Sequence, residues 1–162
     1  MARVFVGIGS NHEREHHIAL ALDSLTKHFG TLQVSPVYTA IDVRGGAADY
    51  FNLVVGFDCD QAPDDIFTAL KAIEHSAGRR RTTSECVLDL DLLTVGDTVT
   101  LADAFELPRR DILEHAFVLR PLADLAPMIR HPVSGQTYAE LWQTMAPHAP
   151  PLVRIDWPPP ST

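Results

Sequence analysis

Residues 88–92 read Leu88-Asp89-Leu90-Asp91-Leu92. Alternation of apolar and acidic residues has a period of two, which fits a strand and not a helix. On that strand Leu88, Leu90 and Leu92 face a core, and Asp89 and Asp91 face the other way together. Two residues rise about 6.6 Å, so the carboxylates are neighbours pointing in one direction. Like charges there repel, and the pair is best held by a positive partner. Oxygen-only ligands select a hard cation such as Mg²⁺, which completes its shell with water and phosphate. A pair of such ions can clamp a polyphosphate. The plain alternative is a solvent-facing polar strand edge.

The charge balance bears on that choice. The chain has 162 residues and a formal net charge of -8, with a pI near 5.3. One compact domain is the expectation at this length. The acidic balance argues against nucleic-acid and anionic-membrane partners, which require a positive field. Yet five arginines form two runs, Arg79-Arg80-Arg81 and Arg109-Arg110. Arginine forks match phosphate and carboxylate oxygens, so the runs point to a local anion site. The alternative is a pair of solvated surface runs. Two cysteines make no disulfide framework. No apolar stretch reaches membrane-span length, and no signal peptide is evident. A cytoplasmic location is therefore expected.

The remaining pattern is mixed. Val4–Ile8 reads as a buried strand stopped by Gly9-Ser10-Asn11. Ile18, Leu22, Leu25 and Phe29 give a helix face ending at Gly30, with His16 and His17 expected on its surface. Leu32–Tyr38 reads as a strand with an edge or bulge at Pro36, and residues 39–49 as a glycine-containing loop. In the strand Phe51–Phe57, Asn52 opposes the apolar face. Ile66, Leu70 and Ile73 stripe a second helix, where Lys71 and Glu74 fit an exposed i, i+3 pair. Val87–Val95 reads as a strand that turns at Gly96-Asp97 into an antiparallel return over Thr98–Leu101. A helical turn follows Pro108, then Phe117–Leu125 and a final helix. Strands and helices without strict alternation argue for an α+β fold. The domain is expected over 1–146, with a Pro-rich tail, 147–162, extended over the surface.

Several motifs resemble, in order, those of the 6-hydroxymethyl-7,8-dihydropterin pyrophosphokinase family of folate synthesis. They are Gly7-Ile8-Gly9-Ser10-Asn11, Asp49-Tyr50-Phe51-Asn52, Ile73-Glu74 with Gly78-Arg79, Leu88 through Leu93, Gly96-Asp97-Thr98-Val99, and Pro108 followed by Phe117-Val118-Leu119 and Pro121-Leu122. The resemblance implies a ferredoxin-like three-layer sandwich with a mostly antiparallel central sheet flanked by helices. It implies Mg²⁺-dependent transfer of pyrophosphate from ATP to the pterin alcohol, with AMP released. Asp89 and Asp91 would hold two Mg²⁺ ions, and Arg79 would join them in catalysis. Lys71, Glu74, Arg79, Arg81, Arg109 and Arg110 would meet the nucleotide and its phosphates. Asn52 would hydrogen-bond the pterin, Tyr50 and Phe117 would wall it, and backbone at Ala40 and Val43 would hold its polar edge. A monomer is expected.

The chain departs from the family pattern at Cys86, where the family has a phosphate-contacting arginine, and lacks the family's loop tryptophan. Those departures motivate a second reading, a diverged paralogue that binds pterin or nucleotide without efficient transfer. A third reading is a nucleotidyltransferase. There a Gly-Ser pair closely precedes the acids, whereas Gly9-Ser10 stands 79–80 residues before Asp89.

Overall fold

The computed structural model describes residues 1–40, 50–78 and 88–158. In chain order these form β1 (Ala2–Ser10), α1 (Arg14–Phe29), β2 (Gln33–Val34), β3 (Val37–Ala40), β4 (Phe51–Cys59), α2 (Pro63–Ser76) and β5 (Asp89–Val95). There follow β6 (Thr100–Leu101), β7 (Glu106–Leu107), α3 (Asp111–Glu114), α4 (Ala116–Leu125), α5 (Tyr138–Met145) and β8 (Leu152–Ile155). A six-stranded sheet runs β5-β1-β4-β3-β8, with β2 also beside β4. Its pairings are all antiparallel. With β2 and β3 taken as one interrupted strand, β1 through β5 trace the β-α-β-β-α-β order of a ferredoxin-like unit.

Period-two alternation divides the sheet into two apolar faces. Val6, Ile8, Leu53, Val55, Leu88 and Leu90 pack with Ile18 and Leu25 of α1 and with Ile66 and Leu70 of α2. On the opposite face Phe5, Val54 and Leu93 pack with Leu119 and Leu122 of α4 and with Tyr138 of α5. Each buried leucine or isoleucine contributes about 1.5–3 kcal/mol. Two cores separated by one sheet give the expected α+β three-layer sandwich.

Four local outcomes differ from the sequence reading. The strand expected over Leu32–Tyr38 is broken at Ser35-Pro36. Proline has no N–H to give the ladder. Ser35 bridges the gap: its N–H donates to Val54 O at 2.9 Å and its Oγ accepts from Val54 N–H at 2.8 Å. The Thr98–Leu101 return does not pair with β5. Gly96 N–H is taken by Arg3 O at 2.8 Å, the chain leaves the sheet, and β6 pairs with β7. His16 is exposed, but His17 is buried. Its Nδ1 lies 2.8 Å from His12 O and 3.1 Å from Glu13 O, so an N–H at Nδ1 is held by carbonyls at the helix start. Finally, Leu152–Ile155 does more than run extended: it adds β8 to the sheet beside β3.

Candidate active site

Strand register assembles the site. Gly9 on β1 stands opposite both Asn52 on β4 and Asp89 on β5, while Gly7 stands opposite Val54 and Asp91. Cross-strand partners share a face. Asp89, Gly9 and Asn52 therefore form one row, and Asp91, Gly7 and Val54 the next. Each row spans two strand spacings, about 9.6 Å. The glycines leave the middle of this floor bare. A Cβ on Gly9 would stand 3.0 Å from Asn52 Oδ1 and 3.5 Å from the Tyr50 ring.

Above the glycine floor opens a cavity of about 480 Å³ whose lining includes Ala40, Tyr50, Asn52, Asp89, Asp91, Arg109, Asp111, His115 and Phe117. Tyr38 extends the Asn52 row. Its hydroxyl donates to Asp124 of α4, and the Arg120 guanidinium lies 5.2 Å from its ring centre. That contact fixes α4 over the sheet and thereby positions Phe117 near the α4 N-terminus. Tyr50 is 39% exposed and Phe117 37%. Phe117 stacks on His115 with ring centres 4.9 Å apart and planes 15° apart. Taken alone, Phe117 fits a core position. Its exposure on a cavity wall instead suits a flat ring ligand.

The acidic end has its own electrostatics. Burial and the neighbouring Asp89 charge push the Asp91 carboxyl up to about 7, against the attraction of Arg109. Both carboxyls line the cavity and bring oxygen donors to it. That donor chemistry fits a hard divalent ion. Arg109 donates from Nε to Asp111 Oδ2 at 2.8 Å, and its Nη2 lies 3.7 Å from Asp91 Oδ1. Its own N–H is bonded to Leu93 O at 2.9 Å. Asp111, Glu114 and His115 also bring three potential ligand atoms within 4.8 Å of one another.

A 7,8-dihydro-6-hydroxymethylpterin-pyrophosphokinase family model matches residues 5–127. The chain belongs to this pyrophosphokinase family. It is 38% identical over 147 residues to the 2-amino-4-hydroxy-6-hydroxymethyldihydropteridine pyrophosphokinase of Pseudomonas aeruginosa, covering 86% of this chain and 89% of that one. The enzyme of the same name from Methylorubrum extorquens is 30% identical over 149 residues, covering 86% and 91%. Among solved structures, wild-type Plasmodium falciparum HPPK-DHPS with pteroate superposes with a TM-score of 0.74 at 13% identity. That match covers 91% of this chain but 43% of the Plasmodium chain, and it shows the fold alone.

ATP and magnesium belong to the pyrophosphokinase family's chemistry, and the sequence-predicted residues divide by location. Ala40, Tyr50, Asn52, Asp89, Asp91, Arg109 and Phe117 meet in the cavity. Arg110 does not line it: its guanidinium turns to Glu106, with Nε 2.8 Å from Oε1. Lys71 and Glu74 do not line it either. Glu74 is buried rather than exposed, and Lys71 Nζ donates to it at 2.7 and 3.1 Å. Lys71 also donates to Leu90 O at 3.2 Å, bracing the peptide between the two acids. Val43, Arg79, Arg81 and Cys86 lie outside the described residues. Sequence reasoning missed the floor role of Gly7 and Gly9, as well as Asp111 and His115. The alternation Gly7-Ile8-Gly9 carried a signal, because the face opposite Ile8 is bare.

Proposed function

We infer that this chain is the ATP- and magnesium-dependent pyrophosphokinase of folate synthesis. The hydroxymethyl oxygen of 6-hydroxymethyl-7,8-dihydropterin bonds to the β-phosphorus of ATP, and AMP leaves. The observation that carries the site assignment is the row Asp89–Gly9–Asn52 in a single cavity. One end is acidic, the other offers an amide, and the floor between them is bare.

Each wall has a task. The Asn52 amide supplies both a donor and an acceptor to the pterin edge. Phe117, backed by His115, and Tyr50 cover the ring faces, while backbone at Ala40 and Val43 completes its polar rim. Asp89 and Asp91 hold magnesium, as two ions in our reading. When bound, the metal neutralises phosphate charge and eases loss of the hydroxyl proton. Arg109 supplies positive charge beside Asp91 from within the cavity. Arg79 and Arg81 are assigned to the phosphates. Lys71 and Glu74 serve the nucleotide end, including through their brace on Leu90. The working unit is a cytoplasmic monomer, with residues 1–146 as the catalytic domain and the tail that follows joined to its sheet through β8.

Two substitutions test the two ends separately. Asn52→Ala should weaken pterin binding about tenfold with ATP binding retained, given about 1–1.5 kcal/mol for the lost hydrogen bonds. Asp89→Asn should stop AMP formation with pterin binding retained. Pterin fluorescence titration and AMP chromatography read these outcomes. Equal loss of both ligands in both variants would contradict the division of the cavity.

A further inference from the structure

Arg109 is held on one side and open on the other. Its backbone N–H is fixed to Leu93 O at 2.9 Å, and its Nε to Asp111 Oδ2 at 2.8 Å. The 3.7 Å approach of Nη2 to Asp91 Oδ1 is an ion pair too long for a hydrogen bond. Asp111 therefore anchors the guanidinium through Nε, while its Nη side faces the acids across the cavity. Among the described residues, Arg109 is the one arginine or lysine in the cavity lining. Arg110, next in the chain, is spent on Glu106.

We propose that Arg109 is a resident counter-cation of the acid pair: a divalent ion must displace it from Asp91, and it then turns its Nη atoms to phosphate while Asp111 keeps its Nε. Asp111 is thus a positioning residue. The proposal rests on the pyrophosphokinase reading of this cavity. The physical reason is charge competition. A divalent ion would compete with Arg109 for Asp91, and the two cations repel at close range until a polyphosphate neutralises them. A guanidinium anchored through Nε still offers its terminal fork to phosphate oxygens. The same arginine therefore opposes binding of the bare ion and favours binding of the metal–nucleotide complex. A purely structural residue would not act with opposite signs on these two ligands.

The test uses Mn²⁺ as the probe, counted by electron paramagnetic resonance without nucleotide, alongside steady-state kinetics with MgATP. Arg109→Gln should bind Mn²⁺ about tenfold more tightly while KM for MgATP rises about tenfold. Arg109→Lys keeps the charge but loses the Nε tether. It should keep near wild-type Mn²⁺ affinity and raise KM. Asp111→Asn should raise KM severalfold in the wild-type background and leave it unchanged in the Arg109→Gln background. Unchanged or weaker Mn²⁺ binding by Arg109→Gln overturns the proposal. So does an equal effect of Asp111→Asn in both backgrounds. Absence of AMP formation by the wild type would instead defeat the pyrophosphokinase reading, and the nucleotide-free Mn²⁺ comparison would remain readable.

Discussion

Replacing Asp91 with Asn should stabilise the metal-free protein at alkaline pH and abolish its activity. The side chain is 23% exposed, and its carboxyl is pushed from 3.8 to about 7 by burial first and by Asp89 second. Between those values the native state keeps a proton that the unfolded chain gives up. Folding is therefore favoured most below the unfolded value, and the advantage is lost as pH rises through about 7. At pH 8 the native state bears the full cost of a charged, crowded carboxylate. A shift of this size corresponds to about 4 kcal/mol in full, and partial exposure of the side chain brings the expected gap to roughly 2–4 kcal/mol. For a chain of this length that is roughly 6–12 °C in Tm. Asparagine has nearly the same shape and no charge, and Arg109 keeps Asp111. Thermal unfolding followed by circular dichroism in EDTA at pH 8 should show the variant more stable by that margin, with the gap shrinking towards pH 4.5. Adding Mg²⁺ at pH 8 should raise the Tm of the wild type and leave the variant unmoved. A variant no more stable than wild type at pH 8, or a gap indifferent to pH, would mean that Asp91 is not the crowded, buried carboxylate described here.

Phe117→Ala removes the exposed stacking wall and should raise KM for the pterin about tenfold, given about 0.5–1.5 kcal/mol for an aromatic pair beyond its buried area. Its Tm should shift little. Gly9→Val places a branched side chain against Asn52 and Tyr50, where a Cβ alone meets Oδ1 at 3.0 Å. Pterin binding measured by fluorescence should fall to background, while ATP binding falls much less. Lys71→Met removes the bonds that Lys71 donates to Glu74 and to Leu90 O and should cost about 1–3 kcal/mol in urea unfolding.

In the sequence alone the two acids, Asn52 and the apolar stripe of α2 are legible, and the cross-strand register is not. Local periodicity sufficed for Asp89 and Asp91, because strand alternation sets which face a side chain takes. It sufficed for Asn52 for the same reason, and for the stripe of Ile66 and Leu70 on α2. Register is a different kind of information. That Gly9 lies between Asp89 and Asn52 depends on two pairings between distant segments, which no local pattern specifies. Arg109 and Arg110 are adjacent and chemically alike, yet one enters the cavity and the other bonds to Glu106. Their difference arises from the Arg109 N–H bond to Leu93 O and the turn into α3. Lys71 and Glu74 have the spacing of an exposed helical pair. They are partly buried because the helix lies against β5, whose Leu90 carbonyl takes a third bond from Lys71. His17 likewise looks like a surface residue until the chain folds two carbonyls onto it. β8 escaped notice because the prolines around it dominate the composition, while its four paired residues are few.

The most direct test is the identity of the phosphorus-containing products. Wild-type protein, MgATP and 6-hydroxymethyl-7,8-dihydropterin should be followed by ³¹P nuclear magnetic resonance. The expected products are AMP and a pterin bearing two phosphorus atoms, in equal amounts, with none formed when Mg²⁺ is chelated. Formation of ADP with a pterin monophosphate, or of free pyrophosphate with a nucleotidyl-pterin, would contradict pyrophosphoryl transfer.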